Sequence, residues 1–93
     1  DYLLLGKHVG PRGSFQSARI RIEKDTAKNL PKYQHEGDVF IYLIEGEATY
    51  GCGLDTFAMV AGDTLSFDAK LPHGFVEISS EAIEFITVSY RPN

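Results

Sequence analysis

The chain has 93 residues, 43% of them hydrophobic, which is enough to build the core of one domain and too few for two domains. Nine basic residues stand against 13 acidic ones, which gives a net charge of −4. This balance argues against direct nucleic-acid contact by this segment, because binding to phosphates needs a basic face. No run approaches the roughly 18 apolar residues of a membrane helix, so we expect no membrane contact.

The single cysteine, Cys52, cannot form a disulfide within the chain, so a reducing, cytoplasmic compartment is the simpler interpretation. Cys52 lies in a Gly-Cys-Gly turn without a catalytic partner nearby in sequence, and we expect no function for its thiol. The chain begins at Asp1 rather than at a methionine, so we expect it to be a fragment of a longer protein.

Hydrophobic and polar residues alternate along most of the chain with a period of two, which is typical of half-buried strands. No convincing helix is predicted. Short strands about 8–12 residues apart, separated by glycine turns, predict a sandwich or a barrel. In chain order the predicted strands are Tyr2–Leu5, Ala18–Ile22, Val39–Ile44, Ala48–Tyr50, Thr56–Val60, Asp63–Phe67, His73–Ile78 and Ala82–Tyr90.

Two of the connections have the length of hairpin turns. Ala61-Gly62 separates the fifth and sixth predicted strands and gives a two-residue hairpin signal. Ser79-Ser80-Glu81 separates the seventh and eighth strands, and we expect these strands to pair across it.

The third predicted strand, Val39–Ile44, is apolar on both faces. One face of a two-layer sandwich normally meets water, so the outer residues Phe40, Tyr42 and Ile44 should be covered. The segment Tyr2–Leu5 or a second subunit could cover them, and long side chains could also half cover the stripe. We favour a homodimer, because small barrels can remove exposed edges and patches by pairing.

Two stretches each join a histidine to a strand and a glycine turn: His35 to Gly46, and Gly62 to His73. Together they resemble the two signature motifs of the cupin superfamily, and the resemblance runs from Tyr33 to about residue 78. It implies an all-β fold, a double-stranded β-helix or jelly-roll barrel of about eight or more antiparallel strands. It also implies that residues 1–93 form a single barrel domain.

A cupin metal site, as the resemblance implies, has two or three histidines and one carboxylate around Fe, Mn, Ni, Cu or Zn. In this chain His35 and His73 occupy two histidine positions, but Tyr33 occupies a third and Val39 occupies the glutamate position. Two imidazoles without a carboxylate make a poor site for an iron-type metal, because such cations need a charged ligand. We therefore assign no metal ligand, and His35 and His73 remain the residual candidates for a divalent transition metal.

Neighbouring acids do not easily replace the missing carboxylate. Asp38 is adjacent to Val39, and adjacent strand residues point to opposite faces unless a bulge intervenes. Glu77 shares the face of His73 but lies about 13 Å further along the strand. Tyr33 has the right parity relative to His35, although a phenol is a rarer ligand with a pKa near ~10.

A binding pocket is the preferred interpretation of the two inward histidines. The residues expected to contact a small polar or anionic metabolite are Tyr33, His35, Val39, His73 and Phe75, and no catalytic residue is assigned. Arg19 and Arg21 alternate with an apolar face, so exposure to solvent is their expected role. If their face lined the barrel instead, their guanidinium groups would suit a carboxylate or phosphonate.

The resemblance is greatest to the cupin domain that follows a helix-turn-helix in one class of bacterial transcriptional regulators, the XRE type. It implies a ligand-sensing half of such a regulator, with DNA contact made only through a domain that precedes Asp1. The alternative is a metal-dependent cupin oxygenase or isomerase that uses His35 and His73 with Tyr33 or a bulged Asp38. A third interpretation is a structural barrel whose interior is filled by side chains.

Overall fold

A computed structural model describes all 93 residues, Asp1–Asn93, as eight antiparallel β-strands without a helix. The all-β prediction is confirmed, and every predicted strand overlaps an observed one. The structure has no helix long and apolar enough to cross a membrane. The strands are β1 (Tyr2–Gly10), β2 (Gly13–Glu23), β3 (Asp38–Glu45), β4 (Glu47–Cys52), β5 (Asp55–Val60), β6 (Thr64–Asp68), β7 (His73–Ile78) and β8 (Ala82–Pro92).

The strands form two sheets that face each other across one core. The larger sheet has the order β1-β2-β8-β3-β6, and the smaller has the order β5-β4-β7. Eleven buried residues form the core between them, and each large apolar side chain buried there stabilises the fold by about 1.5–3 kcal/mol. The core residues are Val39, Ile41, Leu43, Ala48, Tyr50, Met59, Ala69, Phe75, Ile78, Ile83 and Phe85.

Both predicted hairpin pairings are wrong, because each connection carries the chain from one sheet to the other. β5 and β6 lie in different sheets, and the Gly62 amide after β5 donates to the Leu43 carbonyl of β3 at 2.7 Å. β7 and β8 are likewise separated, and the Ser79 and Ser80 amides donate to the Glu47 carbonyl. The length of a turn determines how sharply the chain reverses. Which strands pair with each other is determined by contacts between segments that are distant in the sequence.

β3 has the two apolar faces that its sequence indicates. Val39, Ile41 and Leu43 point into the core and are at most 6% exposed, whereas Phe40 and Tyr42 on the outer face are each 37% exposed. The segment Tyr2–Leu5 does not cover that face, because β1 pairs with β2 at the far edge of the sheet. Within one chain, the outer residues of β3 are therefore half covered by their neighbours.

The segment 24–37 connects β2 to β3 and passes over the core. Ala27 and Leu30 pack against the core cluster. Tyr33 forms a β-bridge with His73 at the start of β7, the edge strand of the smaller sheet. This segment therefore places Tyr33 and His35 beside the first residue of β7.

Candidate functional site

The structure brings Tyr33, His35 and His73 together. The imidazole centroids of His35 and His73 are 5.6 Å apart, with their planes at 76°, and the Tyr33 ring lies 6.1 Å from that of His73. Backbone hydrogen bonds hold this arrangement. Tyr33 and His73 exchange N–H···O bonds of 2.7 and 2.9 Å, and the His35 amide donates to the Ala69 carbonyl at 2.9 Å.

The three side chains lie at different depths. His73 is buried with 3% exposure, His35 is half-buried, and Tyr33 is 55% exposed. The site therefore leads inward from Tyr33 at the surface to the His73 imidazole at the core.

Hydrogen bonds to backbone carbonyls determine which ring nitrogen of each histidine carries the proton. The Nδ1 atom of His73 lies 2.8 Å from the Leu71 carbonyl, and that of His35 lies 2.8 Å from the Glu36 carbonyl. A carbonyl oxygen can only accept, so each Nδ1 donates its hydrogen. In the neutral ring Nε2 then keeps its lone pair, and the site presents two hydrogen-bond acceptors.

The second nitrogen of His73 is within reach of a ligand. No buried side-chain nitrogen or oxygen in the structure lacks a hydrogen-bond partner, and Nε2 of His73 makes no such bond. Nε2 must therefore touch accessible space. Burial of the ring, and secondarily the nearby His35, lower the pKa of His73 below its ordinary value, although the hydrogen bond to Leu71 opposes this shift. The His73 imidazole is therefore neutral near pH 7.

Aromatic rings fill the interior behind His73. Phe67 packs against His73 at 4.8 Å, and Phe75 packs against both Tyr50 and Phe85 at 4.8 Å. Burial raises the pKa of the Tyr50 phenol well above its ordinary value, as expected in a dry interior. Sequence reasoning missed Phe67 as a neighbour of His73. The alternation of Phe67 with Leu65 within the second motif was the sequence signal that could have identified it.

Val39 and Phe75 lie in the core rather than on an open pocket wall. They are 6% and 7% exposed and belong to the core cluster. Val39, His73 and Phe75 line three separate clefts of about 470, 80 and 650 Å³. Tyr33 and His35 line none of the five main clefts. The five residues predicted to bind a ligand therefore do not share one enclosed cavity.

The side chains present do not fit an iron-type metal. No group of three or more His, Cys, Asp or Glu side chains is arranged to hold an ion. Val39 places an apolar group where the family pattern has its carboxylate, and the register of β3 is regular at Asp38, so no bulge turns that acid inward. Two imidazoles remain, and they supply no negative charge to such a cation.

Arg19 and Arg21 lie on the outer face of the larger sheet, as expected for solvent-exposed residues. The Nε of Arg19 donates to Glu84 at 2.6 Å, and Arg21 pairs with Glu45 at 2.8 Å. Since both guanidinium groups are already paired and point away from the core, neither is available to an anion inside the barrel.

Comparison with known proteins adds a family match. The family model described as a cupin domain matches residues 18–89 of this chain. No curated protein matches the sequence.

Three solved structures illustrate the likeness. A transcriptional regulator of the HTH_3 family from Vibrio cholerae has a TM-score of 0.79 at 15% identity, covering 97% of this chain and 49% of its own length. The iron(II) form of HppE in complex with substrate has a TM-score of 0.68 at 18% identity, covering 81% of this chain and 45% of its own. An RmlC-like cupin family protein with a double-stranded β-helix fold, from Methanocaldococcus jannaschii, has a TM-score of 0.72 at 18% identity, covering 98% of this chain and 81% of its own length.

At these identities the likeness shows the fold alone, and that fold is the double-stranded β-helix named for the third structure. The chain spans about half the length of the first two structures.

Proposed function

The chain belongs to the cupin family, and on that premise we propose that it is a small-molecule-binding domain, the ligand-sensing half of a bacterial transcriptional regulator. The observation that carries the proposal is the pair of imidazoles at 5.6 Å, His35 and His73, with Tyr33 beside them at the surface. The Nδ1 atom of His35 donates to the Glu36 carbonyl and that of His73 to the Leu71 carbonyl, so their Nε2 atoms are available to a ligand.

The chemistry of this pair narrows the ligand class to polar molecules that donate hydrogen bonds. The neutral His73 imidazole, with a lone pair on Nε2, accepts a hydrogen bond from a hydroxyl, amide or ammonium group. Arg19 and Arg21 are paired on the outer face, and Lys32 is the one cationic residue that lines the cleft of His73. Because the Nε2 atoms of the pair are hydrogen-bond acceptors, we favour a polar hydrogen-bond donor over an anion as their ligand.

The regulator role is supported by the fold likeness to the Vibrio cholerae regulator, of which this chain matches 49%. In the proposed mechanism the ligand binds one pose of the domain better than another, and that difference shifts the orientation of an attached DNA-binding domain. The net charge of −4 fits a domain that itself makes no DNA contact.

The binding role is tested by a thermal-shift screen of the domain with polar metabolites, followed by amide NMR mapping of each hit. We expect a hit to shift the amides of Tyr33, His35 and His73, and His73→Phe to abolish its binding. His8→Phe, a change of an exposed histidine on β1, is the matched control and should bind normally. Hits that bind the His73 variant unchanged, or that map to another face, would contradict the proposal.

The regulator role needs a separate test on the full-length parent chain. We expect it to retard a DNA fragment from its own promoter in a gel-shift assay, and a hit from the screen to change the apparent affinity. A parent chain without any DNA-binding element would refute this part and leave the binding role intact.

The alternative function is a metal-dependent oxygenase or isomerase. Its support is the fold likeness to iron(II) HppE and the two free Nε2 atoms, which are also the atoms that would ligate a metal. Tyr33 is the remaining candidate for a third ligand. Metal analysis of protein purified without chelators tests it. Less than about a tenth of an equivalent of transition metal, without a rise when Fe(II) or Mn(II) is added, would eliminate this alternative.

A further inference from the structure

A groove of about 650 Å³ separates residues 24–32 from β7. We call it the lysine groove, after the three lysines among its lining residues. Its volume lies in the range of about 300–1,000 Å³ that is usual for small-molecule sites. Its lining residues are Lys24, Ala27, Lys28, Asn29, Leu30, Lys32, Phe75, Val76, Glu77 and Ile78.

The three lysines of this groove have no acidic partner. The ion pairs of the structure are made by Arg19, Arg21 and Lys70, and none involves Lys24, Lys28 or Lys32. Glu77 is the one acid among the lining residues. Among the lining residues the lysines therefore outnumber the acids by three to one, and the acids Glu23, Asp25 and Glu81 lie in a neighbouring cleft that Lys24 also borders.

Three backbone amides of the segment that lines the groove have no hydrogen-bond acceptor within the chain. The amides of Asn29, Leu30 and Lys32 make no hydrogen bond within the chain, although Tyr33, the next residue, is bonded to β7. Free backbone N–H groups beside cationic side chains are what anion sites in proteins use, because hydrogen bonds to a charged acceptor are the strong ones.

Apolar side chains form the rest of the lysine groove. Val76 of β7 is 43% exposed, and Ala27 and Leu30 are half-buried against the core cluster to which Phe75 and Ile78 belong. A ligand in the groove would therefore contact apolar side chains at the floor of the groove and lysine ammonium groups at its rim.

We propose that the lysine groove binds a small organic anion, a carboxylate, sulfonate or phosphate carried on an apolar body. The head group lies among Lys24, Lys28 and Lys32, and the apolar body lies against Leu30 and Val76. Neither histidine lines the groove, so the proposal does not depend on the function proposed for the histidine pair, although Lys32 also borders the cleft of about 80 Å³ beside His73.

The test is a fluorescence titration of the domain with anilinonaphthalene sulfonate, an aromatic anion of the proposed class. We expect saturable binding that weakens at least about tenfold in the variant Lys24→Gln/Lys28→Gln/Lys32→Gln, since three unpaired charges are removed. The uncharged analogue N-phenylnaphthylamine should bind both proteins within about twofold, because it meets only the apolar wall. Added salt should weaken sulfonate binding to the wild type and leave the variant nearly unchanged.

The matched control is Lys7→Gln/Arg12→Gln/Arg91→Gln, which removes the same net charge from residues outside the groove that form no ion pair. We expect this control to bind the sulfonate within about twofold of the wild type. Equal weakening in both triple variants would mean that only the overall charge matters, and would overturn the proposal.

Amide NMR locates the bound anion. We expect the largest shifts at Asn29, Leu30 and Lys32, and competition that improves from acetate to hexanoate to octanoate as more apolar surface is buried. Shifts confined to the outer face of β3, or equal competition by the three carboxylates, would overturn the proposal.

Discussion

At the residue scale, the protonation state of one side chain has measurable consequences for the whole domain. His73 is buried at the core, and that burial lowers the pKa of its imidazole. The unfolded chain exposes the same ring to water, where its pKa is near ~6.5. Folding therefore disfavours protonated His73, and stability becomes dependent on pH.

The sign of this dependence follows from the lowered pKa. At least about one pH unit above ~6.5 the ring is neutral in both states and has almost no effect on stability. As the pH falls from there towards the lower folded pKa, the unfolded state binds the proton first, so the free energy of unfolding decreases by at most about 1.4 kcal/mol per pH unit. Urea unfolding at about pH 7.5, 6.5 and 5.5 measures the slope. We expect His73→Gln to reduce this dependence of stability on pH and His8→Gln to leave it unchanged. An undiminished pH dependence in the His73 variant would contradict the assignment to His73.

The thiol of Cys52 gives a second prediction at this scale. Burial, with secondary contributions from Asp55 and Asp68, raises the pKa of this thiol. Because the thiolate is the reactive form, we expect slow labelling by a thiol reagent at pH 7 and fast labelling in denaturant. Equal rates in the two conditions would show that Cys52 is accessible in the native protein.

At the scale of elements, one glycine of each motif lies where the chain crosses from one sheet to the other. A side chain at either position would be unfavourable, but for different reasons. Gly46 follows β3 with a φ of +93°, and a Cβ there would lie 2.3 Å from the Ala82 carbonyl oxygen. Gly62 precedes β6 with a similar φ of +98°, but a Cβ there would meet nothing within 4 Å. A side chain at position 46 would therefore cause both backbone strain and a steric clash, whereas a side chain at position 62 would cause backbone strain alone.

Alanine substitution separates the two effects. We expect Gly62→Ala to lower the free energy of unfolding by about 1–2 kcal/mol, the usual cost of a left-handed alanine. Gly46→Ala should cost clearly more, because the Ala82 backbone must also move. Urea unfolding of the two variants measures the difference, and equal losses would show that the clash is relieved at little cost.

The strands could be predicted from the sequence because the alternation of side chains is a local property. The same parity correctly predicted that Val39 points inward and Asp38 outward, and the resemblance to the cupin motifs implies that position 39 is where the family has its carboxylate. The pairing of β5 with β4, and of β8 with β2 and β3, could not be predicted from Ala61-Gly62 or from Ser79–Glu81. A turn length leaves open which distant strand supplies the hydrogen bonds.

At the scale of the whole molecule, an apolar stripe crosses the outer face of the larger sheet. Phe40 lies opposite Val88 and Tyr42 lies opposite Ile86, so the four side chains share that face. Phe40 and Tyr42 are each 37% exposed in the single chain. A second copy of the chain would cover this stripe, and the homodimer stays a prediction of the sequence.

Sedimentation of surface variants tests the homodimer. We expect the wild type to sediment as a dimer and Phe40→Lys/Tyr42→Lys to sediment as a monomer, because buried, unpaired ammonium groups are costly. Leu54→Lys is the control, since Leu54 is a fully exposed apolar residue at the β4–β5 turn, away from the stripe. A monomeric wild type would contradict the prediction, and so would dissociation by Leu54→Lys.

The sequence by itself determined the all-β class, the strand positions and the inward faces, because these depend on residue identity and parity, and the resemblance of its motifs to cupins implied that Val39 stands at the carboxylate position. Only the tertiary structure decided the strand partners, the outward pairing of Arg19 and Arg21, and the orientation of His35 and His73. It also decided that Val39, His73 and Phe75 line different clefts and that three lysines gather at one groove. These features depend on contacts between segments far apart in the chain, which local patterns do not specify.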